Sequence, residues 1–138
     1  MRTIGLDVGS KTIGVAVSDA LQMTAQGLTT IEWTEDDMSS ADKELQAIIE
    51  QHEVSAIVVG LPRHMDGSEG DRAQLTKIYG NRLKRVFNLP LFYVDERLST
   101  VAAERTLIEG NMRRNKRKQV IDKMAAVIIL QQYLDTKF

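Results

Sequence analysis

Ile4-Gly5-Leu6-Asp7-Val8-Gly9-Ser10-Lys11-Thr12-Ile13-Gly14-Val15-Ala16-Val17-Ser18-Asp19 is the stretch that decides the fold. Ile4, Leu6 and Val8 alternate with Gly5 and Asp7, and Ile13, Val15 and Val17 alternate again beyond a Gly-Ser break. Period-two alternation around such a break predicts two strands joined in a hairpin. Gly9 is expected to supply a positive φ for the turn. An acid inside an apolar strand is costly to bury without a partner, so Asp7 asks for a purpose. A metal ligand or general base at a strand end is one answer, and a turn-stabilising aspartate capping Gly9 or Ser10 is the other.

Working outward, Thr24–Glu32 reads as a third strand, which completes an antiparallel meander. Glu35, Asp36 and Asp37 form an acidic loop. Ser39 and Asp42 resemble a capping box, and Leu45, Ile48 and Ile49 then recur at helical spacing, predicting a helix from about Ser40 to Gln51. Val54–Gly60 is a short, β-branched run of the kind buried on both sheet faces. Leu75, Ile78, Tyr79, Leu83, Val86 and Phe87 mark an amphipathic helix, with Arg72, Lys77, Lys84 and Arg85 on its wet side. Leu91–Val94 reads as the last strand. Ser99 or Thr100 can open a further helix that Gly110 ends. A polar, basic stretch over 111–118 then precedes a final helix carrying Val120, Met124, Val127, Ile128 and Leu134. Helical crossovers favour parallel pairing. The order therefore predicts an α/β fold, with helices flanking a mixed five-stranded sheet of order 3-2-1-4-5.

The 138 residues fit one domain spanning 1–138, and a hydrophobic content of 43% is enough for one core. With no cysteine there is neither disulfide nor thiolate zinc site, as in a reducing cytoplasm. No apolar run has membrane-spanning length and no signal-peptide pattern opens the chain, so a cytoplasmic protein without a membrane partner is expected. The net charge is -1, so binding to nucleic acid would have to come from a local patch.

Three acids stand where such a sheet could gather them: Asp7 ending the central strand, Glu96 following the last strand, and Asp122 one turn into the C-terminal helix. Sites in sheets of this type form beyond the carboxyl ends of the parallel strands. Carboxylates without a Cys or His cluster suit a hard cation, Mg²⁺ or Mn²⁺. Two such ions can drive in-line attack of water on a phosphodiester. Plainer readings exist: Glu96 pairing with Arg97 or capping the next helix, and Asp122 pairing with Lys118 on an exposed face. Ala125, Ala126 and Ile129, however, put Asp122 on an apolar, close-packed face. Arg113, Arg114, Lys116, Arg117 and Lys118 are five cations in six residues. They suit phosphate binding, or a solvated loop. No aromatic lies among them, which favours backbone or shape recognition over base stacking.

Four segments carry a family resemblance: residues 4–19, Gly60–Ser68, Asp95–Thr100 and Asp122–Ala126. In order and over nearly the whole chain, they resemble the motifs of the YqgF/RuvX family. That resemblance implies a ribonuclease H-like fold and Asp7, Glu96 and Asp122 as catalytic and metal-binding acids with Mg²⁺ or Mn²⁺. It also implies nucleic acid as partner, either structured RNA or a DNA junction. The contacts would be Lys11, Arg97, Arg113, Arg114, Lys116, Arg117 and Lys118, in a monomer or homodimer. The implied activity is 5′-end processing of pre-16S rRNA, with Holliday junction resolution or non-catalytic ribosome assembly as alternatives. Better-known junction resolvases carry an acid where this chain has Gly60-Leu61-Pro62, and a second helix acid where it has Ala125. His64 stands where the family motif has Asn and is expected to be a loop residue. An actin- or kinase-like ATP-binding fold shares the Asp-x-Gly loop, but needs two such domains to enclose a nucleotide.

Overall fold

The computed structural model describes residues 1–62, 70–95 and 114–136, and for 114–122 the backbone alone. The elements are β1 (Arg2–Val8), β2 (Thr12–Ser18), β3 (Ala25–Glu32), a 3-10 turn (Met38–Ala41), α1 (Asp42–Gln51), β4 (Val54–Leu61), α2 (Asp71–Phe87), β5 (Leu91–Asp95) and α3 (Arg114–Asp135). The sheet has five strands in the order β3-β2-β1-β4-β5. The meander pairs antiparallel, with Val8 opposite Ile13 and Thr12 opposite Glu32. β4 and β5 are parallel to β1, with Leu6 opposite Val59 and Leu61 opposite Asp95. The predicted sheet is thus the observed one. The helix expected between Ser99 and Gly110 lies outside the described residues.

Strand alternation sorts the core into two layers. Ile4, Leu6, Val8, Ile13, Val15, Ile57 and Val59 meet Leu45 of α1 and Tyr79 and Leu83 of α2 on one side. Ala16, Val58 and Val94 meet Ala125, Ala126, Ile129, Leu130 and Leu134 of α3 on the other. The α3 side is built of small residues where the helix crosses the sheet. A Cβ placed on Gly5 would stand 2.6 Å from Leu130 Cβ, and one on Gly27 would stand 2.8 Å from Lys123 Cγ. Only glycine lets the helix seat that closely.

Three local expectations are corrected. Gly9 does not enter the left-handed region. It is needed because a Cβ there would stand 2.8 Å from the Thr12 carbonyl oxygen, which accepts the Gly9 N–H at 2.8 Å. The Ser39–Asp42 capping box does not form. Asp37 instead accepts from Ser39 N (3.1 Å) and Ser39 Oγ (2.5 Å), capping the 3-10 turn. An aspartate two residues before an N–H is well placed to take it. Asp42 is left to receive Arg82 in two bonds of 2.7 and 2.6 Å, tying α1 to α2. Finally, the basic stretch does not precede the last helix but begins it, since α3 starts at Arg114. Apolar periodicity starts only at Val120, whereas Arg, Lys and Gln are good helix formers without it.

Candidate functional site

Asp7 is the penultimate residue of β1 and only 6% exposed. By strand alternation it shares the α3 face of the sheet with Gly5. Its antiparallel neighbour is Gly14. On the parallel side, Gly60 stands one residue beyond the Leu6–Val59 pair. Neither neighbouring strand therefore places a side chain directly beside the carboxylate. Because β1, β4 and β5 run parallel, their carboxyl ends lie at one edge. The last described residue of β5, Asp95, lies at the same edge as Asp7.

The direction of α3 follows from its contacts. Gln131 donates to Met23 O (3.0 Å) and accepts from Ala25 N (2.9 Å) at the start of β3, while Lys123 packs over Gly27 farther along. The helix N-terminus therefore points toward the sheet edge that holds Val8 and Glu32. The Ala126 carbonyl lies 3.1 Å from where a Gly5 Cβ would stand. Asp122 is one turn N-terminal to Ala126, and Asp7 is two residues past Gly5. A helical turn advances about 5.4 Å and two strand residues about 6.7 Å, so the two acids' backbones keep step. Asp122 is eight residues into α3 rather than the expected single turn.

The backbone just after Asp7 is held from the opposite face. Arg72, in the first turn of α2, donates through Nη2 to Val8 O at 2.9 Å, and its Nη1 makes an ion pair with Glu35. Trp33 donates through Nε1 to the next carbonyl, Gly9 O, at 2.9 Å. The Lys11 carbonyl accepts from Trp33 N at 3.1 Å. Arg72 is thus not one of the wet-side cations of α2, and Glu35 is not merely part of an acidic loop. Neither contact has a short-range signal, because the partners are 64 and 37 residues apart. Trp33, an aromatic just past a strand in an acidic loop, was the one readable hint.

Of the other expected site residues, Lys11 is exposed in the β1–β2 turn. Arg114, Lys116, Arg117, Lys118 and Asp122 lie on α3, and their side chains are outside the described part of the structure. Glu96, Arg97, Arg113 and His64 lie outside the described residues altogether. Among the described residues no three potential ligands gather into a metal cluster. The described donor nonetheless suits a hard cation: a buried carboxylate with glycines on both neighbouring strands, in a chain without cysteine. Among the described residues no helix is long and apolar enough to cross a membrane.

A family model described as RuvX, Holliday junction resolvase, matches residues 1–136. A candidate pre-16S rRNA nuclease of Oceanobacillus iheyensis is 59% identical over 137 residues, covering 99% of this chain and 100% of the relative. One of Streptococcus thermophilus is 50% identical, covering both chains fully at 100%. Among solved structures, Thermus thermophilus RuvC in complex with a Holliday junction substrate aligns with a TM-score of 0.62 at 12% identity, covering 99% of this chain and 95% of that one. The fowlpox virus Holliday junction resolvase gives 0.59 at 12% identity, with 100% of each chain covered. These two likenesses are of fold, and the fold is ribonuclease H-like. By the match along residues 1–136 and the identity to its relatives, the chain belongs to the RuvX family of Holliday junction resolvases.

Proposed function

We propose that the protein is a divalent-metal-dependent endonuclease that hydrolyses phosphodiester bonds in structured nucleic acid, its substrate being the 5′ end of pre-16S rRNA. The observation that carries this reading is Asp7: a buried carboxylate at the carboxyl end of the central strand, with glycine beside it on both neighbouring strands. The names of the relatives support the RNA substrate. Asp7, Glu96 and Asp122 are the residues that would hold Mg²⁺ or Mn²⁺. When bound, the ion supplies charge stabilisation at the phosphate and a more acidic water.

The chain's own residues do the rest. The apolar β1–β4 surface fixes the Asp7 carboxylate and keeps bulk water from beneath it. Lys11, Arg97, Arg113, Arg114, Lys116, Arg117 and Lys118 attract the phosphate backbone and set its register. Holliday junction resolution is the second reading, supported by the family description and by the junction-bound fold relative. It would need a homodimer, since symmetric cleavage takes two active sites, whereas RNA trimming is open to a monomer.

Cleavage assays with Mg²⁺ or Mn²⁺ on a pre-16S RNA fragment and a four-way DNA junction, side by side, decide between the substrates. Asp7→Asn keeps shape and removes charge. Its cleavage should fall by more than about 100-fold, beyond what losing an outer partner of a metal ligand costs, with the melting temperature held. Wild-type turnover by this variant would sink the mechanism.

A further inference from the structure

We infer that Arg72 is a positioning residue for the Asp7 carboxylate, with Glu35 as its anchor, acting through the β1 backbone from the far side of the sheet. The inference rests on the nuclease reading above. Its basis is a pair of consecutive carbonyls. Val8 O takes a guanidinium proton of Arg72, and Gly9 O takes the indole proton of Trp33, each at 2.9 Å. These are the carbonyls of the two residues that follow Asp7, at the end of β1, where Val8 is the last residue paired with β2 and the Gly9 N–H reaches Thr12 O. Both donors arrive from the α1/α2 face, while Asp7 projects toward α3.

The arrangement fits orientation better than stability alone. A guanidinium is planar and its donors form a rigid fork. With Nη1 engaged by Glu35 and Nη2 on Val8 O, rotation about the side-chain axis is blocked and the carbonyl is held in one plane. One rigid, planar peptide separates the Val8 carbonyl from the Asp7 Cα, so a shift at Val8 O is passed back through the Val8 and Asp7 torsions to the carboxylate. Both side chains are about one-third exposed, at 36% and 32%, so the pair is of modest worth as a plain surface ion pair. Partners that fix a ligand's orientation typically matter by about 10–100-fold in metal affinity or activity, and sub-ångström placement matters comparably to rate.

The test compares Arg72→Gln, Arg72→Lys, Glu35→Gln and Asp7→Asn with the wild type. Three quantities are read: Mn²⁺ binding from the free-ion electron paramagnetic resonance signal, kcat and KM for the cleaved substrate, and the melting temperature. Arg72→Gln is too short to reach Val8 O. It should weaken Mn²⁺ binding about 10-fold and lower kcat about 10–100-fold with KM unchanged. Arg72→Lys should recover part of both, and Glu35→Gln should show a smaller loss of the same kind. The inference is overturned if Arg72→Gln binds Mn²⁺ as the wild type does, or if KM alone changes. It is equally overturned if the only change is a lower melting temperature, with normal Mn²⁺ affinity in the folded protein. Should Arg72→Gln fail to fold, Glu35→Gln carries the test, and an unchanged Mn²⁺ affinity there overturns it. Failure of the underlying reading looks different: Asp7→Asn would then still bind Mn²⁺ and cleave.

Discussion

Residue by residue, a carboxylate in this chain acts according to what donates to it. Asp19 is half-buried and accepts from Met23 N at 2.7 Å and from Thr24 N at 3.2 Å. Those bonds, the one to Met23 foremost, hold its pKa below the ordinary 3.8. A depressed folded-state pKa means stability that is present above pH 3.8 and is lost as pH falls through the folded value. Asp19→Asn should therefore melt lower than wild type near neutrality, and the gap should close toward acid. Thermal melts from about pH 6 down to about pH 2 read this directly, and a gap constant across that range would refute it. Asp7 was legible because an acid breaks an apolar alternation. Arg72 was not, because nothing within a helical window distinguishes a cation that reaches solvent from one that reaches a carbonyl 64 residues away.

Among the elements, α3 is the one whose placement matters most, since it brings Asp122 to the sheet. Its seat depends on Gly5. Gly5→Ala would put a methyl 2.6 Å from Leu130 Cβ and 3.1 Å from the Ala126 carbonyl, neither of which is the loose end of a flexible side chain. The helix must shift, at a cost of about 1–3 kcal/mol, as for overpacked cores generally. Cleavage should fall further than stability, because the shift moves Asp122 relative to Asp7. Denaturant melts beside cleavage assays at a temperature where both proteins are folded would separate the two effects. Equal activity per folded molecule would show the helix position to be unimportant. The strands were readable from period two and β-branched runs. The start of α3 was not, since five cations in six residues carry no apolar period. The Ser39–Asp42 cap also failed, because Asp37 competed for Ser39 and Arg82 for Asp42.

At the scale of the whole molecule, a net charge of -1 leaves phosphate affinity to one part of the surface. Helix α3 begins at Arg114, so its cations have a helical phase. At 100° per residue, Arg114 and Lys118 align with Asp122 and Ala125, and Lys116 falls on the opposite side. Neutralising Arg114 and Lys118 together should weaken binding to all sequences and flatten the slope of log affinity against log salt by about two. Neutralising Lys116 should change it by less than one contact's worth. Equal slopes for both variants would mean that the cations act as diffuse charge rather than as contacts. Trp33 has a separate consequence. It is the only tryptophan, 6% exposed, with its ring centroid 4.6 Å from that of Tyr79 and its indole N–H on Gly9 O. The protein thus carries its own optical gauge at the turn beside Asp7. Light absorbed by Tyr79 should pass to Trp33, and if the proposed cation binds beside Asp7, adding Mg²⁺ should change the indole emission without any dye, whereas an unchanged spectrum would mean the turn does not sense it.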